Sequence, residues 1–277
     1  MDNSSQATES PRREGEIARN AIETNHWKKN YFILKTLVGK DFKVKYRRSV
    51  LGVVWSVLNP LLMMIVMSAV FSYMFRFNIE NFPLYLILGQ IMFSLMTDAT
   101  TGAMGSIIGS ASLIQKIRIE KMVFPLEKVL FSLVNFLFSA IAAVLVIIWF
   151  RVMPTWNIIF LPLVVFYVVV FSAGIGLVLA SLAVFFRDVL HLWSVVITAW
   201  TYATPLFYPV DLLPNILQFL MKFNPMYQYI TYFRNIMMYN ITPSLQTNLI
   251  CLAMALISLG LGILVFRKTE HKFILYV

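Results

Sequence analysis

The sequence predicts an all-α integral membrane protein with six transmembrane helices. Of its 277 residues, 59% are hydrophobic and 13% are charged, whereas about 25% of the residues in a soluble domain are charged. Six largely apolar stretches are separated by shorter polar segments, and a helix needs about 20 apolar residues to cross a bilayer core. Lysine and arginine are concentrated in alternate connecting segments, which is the pattern of a polytopic membrane protein.

The first 48 residues divide into a polar tail and an amphipathic helix. Residues 1–27 contain many Ser, Thr, Asn, Gln and Glu side chains and are predicted to form a flexible cytoplasmic tail. Residues 28–48 place apolar side chains at helical spacing against a lysine-rich face. The predicted apolar face consists of Tyr31, Leu34, Val38 and Phe42. Because basic amphipathic helices of this kind lie at membrane surfaces, we expect an N-terminal amphipathic interface helix here.

The remaining chain, 49–277, is predicted to be a six-span transmembrane domain. The predicted spans are about 53–75, 84–108, 124–150, 157–186, 189–204 and 246–266. The fifth span is short, because its 16 residues extend about 24 Å at 1.5 Å per residue, and Pro205 and Pro209 follow it. The apolar pieces at about 211–239 are too short to span. We therefore expect two short re-entrant helices on the outer side, between spans 5 and 6.

The distribution of basic residues predicts the orientation of the chain. Of the 23 lysines and arginines, only Arg76, Arg151, Lys222 and Arg234 fall on one predicted side, which leaves nineteen on the other. The positive-inside rule then places both termini in the cytoplasm. The same distribution explains the net charge of +10 without a nucleic-acid partner.

The sequence contains no pattern that predicts catalysis or metal binding. It has no Gly-x-x-x-x-Gly-Lys-Ser/Thr motif to hold a nucleotide. His26, His191 and His271 lie far apart along the chain, and the single cysteine belongs to no metal-ligand motif. A membrane enzyme would need a pair of carboxylates or a base–nucleophile pair, and the sequence suggests neither.

Two features of the membrane domain each allow two interpretations. Asp98 lies in the middle of the second span, where it either lines a polar path or is a hydrogen-bonded structural carboxylate. The amphipathic segment at about 113–122, between spans 2 and 3, is either a charged surface loop or a docking helix for a cytoplasmic partner. Its periodicity does not choose between these alternatives.

Several separated motifs resemble one protein family. Residues 45–60, KYRRSVLGVVWSVLNP, resemble the signature that opens the membrane domain in permease subunits of type-2 ABC exporters for polysaccharides. That family includes O-antigen, capsule and teichoic acid exporters. The 205–209 segment PLFYP, the Asn224-Pro225 pair and the 232–235 segment YFRN are similar to its outer gate helices. The resemblance extends over about 28–270 and leaves out the N-terminal tail.

The resemblance implies a transport subunit rather than an enzyme. It implies a homodimer in the bacterial plasma (inner) membrane that exports a polysaccharide or a lipid-linked glycan. Two copies of a separate cytoplasmic ABC ATPase would bind ATP and Mg, and this chain would bind no cofactor itself. The other partners implied are membrane lipids and the lipid-linked substrate. A permease for a drug or lipid, and a membrane enzyme acting on lipid-linked sugars, are the alternatives.

The resemblance also assigns expected roles to particular residues. A coupling helix for the ATPase would include Ile114, Lys116, Ile117, Arg118, Glu120 and Lys121. The substrate entrance, where a diphosphate head group would arrive, would include Lys43, Lys45, Tyr46, Arg47 and Arg48. The path or gate would include Asp98, Pro205, Tyr208, Pro209, Asn224, Pro225, Tyr232 and Arg234. For the cationic run, anchoring to anionic lipid at about 1 kcal/mol per cation is an equally good explanation.

Overall fold

A computed structural model describes residues 30–47, 51–75, 79–116, 119–153 and 155–276. Throughout these ranges the regular structure is helical, as the sequence predicts. The predicted tail, 1–27, and the two ends of the predicted interface helix, at residues 28, 29 and 48, lie outside the described residues.

Ten α-helices follow one another in the described part of the chain. We number them in chain order: α1 (30–46), α2 (Val54–Phe75), α3 (Phe82–Gly109), α4 (Ala111–Lys116), α5 (Val123–Trp149), α6 (Leu161–Phe185), α7 (Val189–Ala203), α8 (Asn215–Met221), α9 (Pro225–Met237) and α10 (Leu245–Thr269). Short 3₁₀ turns at Trp156–Phe160, Val210–Leu212 and Glu270–Leu275 precede α6, precede α8 and follow α10.

Five helices in the described part of the chain are long and apolar enough to cross a membrane: α2, α3, α5, α6 with its preceding turn, and α10. Helix α7 has only 15 residues, or about 22 Å at 1.5 Å per residue, against a bilayer core of about 30 Å. The structure therefore supports a multi-pass membrane protein, and the six-span count and the re-entrant helices stay predictions.

Local sequence explains where the long helices begin and end. Before α3, Asn81 adopts a left-handed backbone conformation with φ of 54°, and Pro83 occupies the first turn, where no N–H is required. Helix α10 begins after Ser244, whose hydroxyl accepts a 3.1 Å hydrogen bond from the Thr247 N–H. Its last turn carries Arg267 and Lys268, which complement the helix dipole.

Helix α3 is the centre of the bundle. It packs against α2, α5, α6, α7 and α9, and its apolar residues Leu84, Ile87 and Leu88 are completely buried. Helix α2, in contrast, exposes most of its apolar side chains, as expected of a helix that faces lipid or a second chain. The core of the protein therefore surrounds α3 and leaves α2 at the edge.

Helices α6 and α10 approach each other through small residues. A Cβ atom on Gly174 would overlap the backbone carbonyl of Ser258, and one on Gly262 would overlap the carbonyl of Gly174. The Ser258 hydroxyl also donates a 2.9 Å hydrogen bond to the Phe171 carbonyl across this contact. Such close backbone approach is typical of membrane helices, where van der Waals packing replaces the hydrophobic effect.

The amphipathic helix α1 packs along α5. Leu34, Val38 and Phe42 are partly buried, and the Phe42 ring stacks on Phe138 with centroids 5.6 Å apart. Tyr31, which the sequence places on the same face, is instead 68% exposed, because Ile33 rather than Tyr31 continues the inward stripe at the start of the helix.

A charged contact complements the apolar one between α1 and α5. The Lys128 ammonium contacts the Asp41 carboxylate and lies 3.2 Å from Glu127. A partly buried cation thus lies between two carboxylates at the contact of the two helices, and it helps to fix the position of α1 along α5.

We expect Gly262→Ala to lower the thermal stability of the protein, because the added methyl must push α10 away from α6. The matched control is Gly260→Ala on the same helix, where a Cβ atom would meet nothing within 4 Å. Thermal unfolding in lipid nanodiscs checks this. Equal melting temperatures for the two variants would contradict the close packing of α6 on α10.

Candidate functional site

A cavity of about 320 Å³ opens between α1, α2, α3 and α5. Nine of its twelve lining residues have polar side chains, which is unusual inside an apolar helical bundle. The lining residues used below are Lys45, Tyr46, Trp55, Ser56, Asn59, Gln90, Ser94, Asp98, Asn135 and Ser139. We call this space the polar cavity.

The wall formed by α2 contains a proline that frees a backbone carbonyl. Pro60 lies inside α2 and has no N–H to donate to the carbonyl four residues earlier, that of Ser56. The hydroxyl of Ser139, on α5, donates to the Ser56 carbonyl instead, at 3.3 Å. The unpaired carbonyl is thus satisfied from the neighbouring helix, which ties α2 to α5 beside the polar cavity.

The wall formed by α1 is a connected hydrogen-bond network. The Lys45 ammonium donates to the Asn135 side-chain oxygen at 3.0 Å, and the Tyr46 hydroxyl donates to the same oxygen at 3.3 Å. Tyr46 also forms a hydrogen bond with the Ser56 hydroxyl. The Lys45 ammonium lies 5.6 Å from the centre of the Phe131 ring. These contacts hold the end of α1 against α2 and α5.

The wall formed by α3 includes Gln90, Ser94 and Asp98, which belong to a longer polar face of this helix. Gln90, Ser94, Asp98 and Thr101 follow at intervals of four, four and three residues and therefore share one helix face. Ser94, Asp98 and Thr101 are exposed. None of the four side chains has a hydrogen-bond partner among the described residues. We call these four residues the polar face of α3.

The polar face of α3 also borders a second cavity, on the side of α7. This space of about 230 Å³ shares Gln90 and Ser94 with the polar cavity and extends to Leu206 and Phe207, beyond the end of α7. The polar face of α3 thus runs past both cavities, from the level of Lys45 toward the bend after α7.

Arg234 holds that bend together from inside the protein. It is 4% exposed, and it donates to the backbone carbonyls of Tyr85, Pro205 and Leu206 at 3.1, 2.9 and 3.0 Å. Its guanidinium carbon lies 3.4 Å from the centre of the Tyr85 ring. No carboxylate pairs with Arg234 in the described part of the chain, so carbonyl dipoles and one ring stabilise this buried cation.

Two neighbouring residues complete the arrangement around Arg234. Gly89 leaves room for the Arg234 guanidinium, since a Cβ atom at position 89 would overlap a guanidinium nitrogen of Arg234. The Tyr85 hydroxyl donates to the carbonyls of Pro205 and Tyr208, at 3.2 and 3.0 Å. The backbone groups that Pro205 leaves outside any helix are therefore satisfied by α3 and α9.

Asn224 joins the end of α7 to the start of α9. As the Asn-Pro pair predicts, it caps α9 by accepting from the N–H groups of Met226 and Tyr227, at 3.1 and 3.4 Å. The same oxygen accepts from the Trp200 indole at 3.0 Å, and the Asn224 amide donates to the Thr204 hydroxyl at 3.0 Å. One side chain thus connects three segments.

The residues expected at the substrate entrance separate into two groups. Lys45 and Tyr46 line the polar cavity, whereas Lys43, on α1, and Arg47, directly after it, are exposed and do not line it, and Arg48 lies outside the described residues. Asp98, expected in the path, lines the same cavity as Lys45. The fold therefore brings together two sets of residues that the sequence alone left apart.

The predicted coupling helix at about 113–122 is shorter in the structure. Helix α4 ends at Lys116, residues 119 and 120 are not helical, and Ile117 and Arg118 lie outside the described residues. The chain turns inward after residue 118, because the Lys121 ammonium donates to the Glu270 carbonyl at 2.6 Å.

The expected coupling residues consequently face different ways. Ile114 and Ile119 pack against a buried cluster that includes Phe124, Phe266 and Phe273. Lys116 and Glu120 are exposed. The Glu120 carboxylate accepts a 2.7 Å hydrogen bond from the Asn30 side chain on α1, so among the described coupling residues Lys116 is the one most open to a partner.

The expected gate residues form a packed unit rather than an open surface. Tyr232 is 1% exposed, and its hydroxyl donates to the Asn248 side chain on α10 at 2.9 Å. The Tyr208 hydroxyl donates to the Tyr202 carbonyl at 2.8 Å, and Pro209 precedes the 3₁₀ turn before α8. A gate role for this unit stays a prediction.

Several residues of the polar cavity were not predicted from the sequence. Trp55, Asn59, Gln90, Ser94 and Asn135 line it, but none of them was singled out. For α3 a signal was present, because Gln90, Ser94 and Asp98 recur every four residues inside an apolar span. Asn135 offered no such signal, since it is an isolated amide in its span.

Comparison with known proteins defines the family. Residues 33–238 match the sequence profile described as ABC-2 type transporter. The chain belongs to the ABC-2 type transporter family. The match runs from α1 to the end of α9, so this ABC-2 region includes both the polar cavity and Arg234. The resemblance drawn from the sequence motifs is confirmed.

Curated relatives of this ABC-2 chain have names that describe export. It is 28% identical to the O-antigen export system permease protein RfbA of Myxococcus xanthus over 243 residues, which cover 87% of this chain and 94% of that protein. A relative of the same name in Klebsiella pneumoniae is 28% identical over 87% of this chain and 93% of that protein. The capsule polysaccharide export inner-membrane protein CtrC of Neisseria meningitidis serogroup A is 25% identical over 70% of this chain and 74% of that protein.

We expect Arg234→Lys to destabilise the protein, although the charge is kept. A lysine ammonium is a point charge without the planar fork that reaches three carbonyls, and each unsatisfied buried group costs about 1–3 kcal/mol. Thermal unfolding in nanodiscs measures the loss, with the exposed Arg267→Lys as the matched control. Gly89→Ala should have a similar effect by displacing the guanidinium. Unchanged melting temperatures for both Arg234→Lys and Gly89→Ala would show that the bend does not depend on Arg234.

Proposed function

We propose that this chain is the permease subunit of an ATP-driven exporter that moves a polysaccharide or lipid-linked glycan outward across the bacterial inner membrane. The observation that carries this proposal is the polar face of α3, which runs past two cavities in an otherwise apolar bundle. The names of the relatives, which refer to O-antigen and capsule export, support a glycan as the substrate.

The polar face of α3 supports a transport path that lies between the two chains of a homodimer. Exposed polar side chains within a membrane span face a water-filled space or another protein surface, because contact with lipid is costly. In this chain the polar face lies between α2 and α7, both of which have exposed apolar residues. A second copy that packed on α2 and α7 would place the two polar faces opposite each other and exclude lipid from between them.

Energy would come from a separate subunit. The sequence has no P-loop, so we assign the binding of ATP and Mg to two copies of a cytoplasmic ABC ATPase. Its contact would include Lys116 and Glu120, which are exposed, together with Ile117 and Arg118. The inward contacts of Ile114, Ile119 and Lys121 would transmit movement of this segment to α5 and α10.

The orientation follows from the charge distribution. With both termini in the cytoplasm, α1 and the polar cavity belong to the inner half of the membrane, and the bend held by Arg234 belongs to the outer half. The cations Lys43, Lys45, Arg47 and Arg48 would then meet a lipid diphosphate at head-group level. The packed unit from Pro205 to Arg234 would form the outer end of the path.

We expect Lys116→Glu, alone or combined with Glu120→Lys, to reduce both co-purification of the ATPase and glycan export. Reversal of an exposed charge changes electrostatic complementarity with a partner without altering the core. Pull-down from membranes and surface staining of the glycan measure the two effects. Lys222→Glu is the control, since this exposed lysine belongs to the opposite side. If the double variant with Lys116→Glu and Glu120→Lys keeps full ATPase association and glycan export, this segment does not contact the ATPase.

We expect the double variant Arg47→Gln and Arg48→Gln, which removes two positive charges, to show weaker substrate-stimulated ATP hydrolysis. If each cation contributes about 1 kcal/mol at an anionic surface, two of them correspond to roughly a 30-fold change in substrate affinity. The measurement uses the reconstituted complex with purified lipid-linked glycan, and Arg267→Gln is the control. Normal membrane insertion together with unchanged stimulation would leave lipid anchoring as the role of this run.

A further inference from the structure

The charges in and around the polar cavity distinguish a surface that suits an anion from an interior that suits an uncharged group. Lys45 and Asp98 are the only charged side chains among the residues that line it, so its formal charges cancel. The additional cations Lys43, on α1, and Arg47, directly after it, are exposed and do not line the cavity. A diphosphate needs an excess of positive charge, so it suits the surface around Lys43 and Arg47, whereas the interior of the cavity suits an uncharged group.

The cavity also has unused hydrogen-bonding capacity. Lys45, Tyr46 and Asn135 bond to one another. Asn59, Gln90, Ser94 and Asp98, in contrast, make no hydrogen bond with another described residue. Amides and hydroxyls both donate and accept, and a carboxylate accepts at two oxygens. This mixture matches the hydroxyl groups of a sugar, each of which donates one hydrogen bond and accepts others.

An aromatic ring completes the lining. Trp55 lies on the wall formed by α2 and is 48% exposed. The face of an indole packs well against the C–H face of a sugar ring, since both surfaces are apolar and flat. The volume of about 320 Å³ falls at the lower end of the range for small-molecule sites, about 300–1,000 Å³. A monosaccharide unit fits this combination of size, ring and hydrogen-bonding groups.

We propose that the polar cavity is a saccharide-binding subsite that takes one uncharged sugar residue of the transported glycan. Asp98, Gln90 and Asn59 bind its hydroxyl groups, and Trp55 stacks on its ring. The phosphate of a lipid-linked substrate stays outside, on Lys43 and Arg47. This inference rests on the proposed function and specifies which part of the substrate the cavity contacts.

The test measures sugar binding and phosphate binding separately. The full chain is reconstituted in nanodiscs free of sugar-based detergent. One probe is the phosphate-free oligosaccharide released by mild acid from the lipid-linked glycan of the cells that make this protein. The other probe is inorganic pyrophosphate. Titration by saturation-transfer NMR gives the affinity for each probe.

We expect Trp55→Leu and Asp98→Asn each to weaken oligosaccharide binding at least ten-fold. Pyrophosphate binding should be unchanged, or stronger once the carboxylate is removed. The matched controls are Trp156→Leu and Asp211→Asn, both exposed and remote from the cavity. Ser94→Leu is a second test, because it fills the cavity with an apolar side chain that a membrane helix tolerates. It should also abolish oligosaccharide binding while the chain stays folded.

Three outcomes would overturn the subsite. The first is that the wild-type chain binds no oligosaccharide, and the second is that all variants bind it as the wild type does. The third is that Trp55→Leu and Asp98→Asn lose pyrophosphate binding rather than oligosaccharide binding, which would make the cavity a phosphate site. Export in cells that lack the native gene separates this inference from the proposed function. Failure of the wild-type chain to restore glycan export contradicts the function, whereas restored export with unaltered binding in the variants contradicts only the subsite.

Discussion

The arrangement of the bundle around the end of α7 depends on how one break in the helical backbone is satisfied. After α7 the chain leaves the helix at Thr204 and Pro205, and in a membrane the free carbonyls of such a break need partners from the protein. Arg234 supplies three donors to Tyr85, Pro205 and Leu206. Because these carbonyls belong to α3 and to the bend, and Arg234 belongs to α9, one side chain fixes the positions of three segments.

The same constraint explains how Arg234 is stabilised without a counter-charge among the described residues. A buried guanidinium is costly unless its donors are satisfied, and here carbonyl oxygens and the Tyr85 ring satisfy it. The Pro205 carbonyl is shared, since it accepts from both Arg234 and the Tyr85 hydroxyl. Gly89 is part of this arrangement, because any side chain there would displace the guanidinium.

Helix α3 connects this bend to the candidate site. Its apolar sides are enclosed by neighbouring helices, which leaves it only one open side, and that side carries Gln90, Ser94, Asp98 and Thr101. A helix held so firmly on its other sides can keep a row of unpaired polar groups in place. The loosely packed α2 and the amphipathic α1 then close the polar cavity against it, through the contacts of Lys45 and Tyr46 with Asn135.

The sequence by itself determined the membrane character, the approximate span limits and the family resemblance. These properties depend on local composition and on short motifs, such as the apolar stretches and the 45–60 segment. Only the tertiary structure decided that Lys45, Asp98 and Asn135 line one cavity, that Lys121 turns inward to Glu270 and that Arg234 is buried rather than exposed. Each of these contacts joins residues tens of positions apart, and in an apolar chain hydropathy does not distinguish a helix face toward lipid from one toward another helix. The packing of the helices makes that distinction, because it alone determines which polar groups find partners and which face an open space.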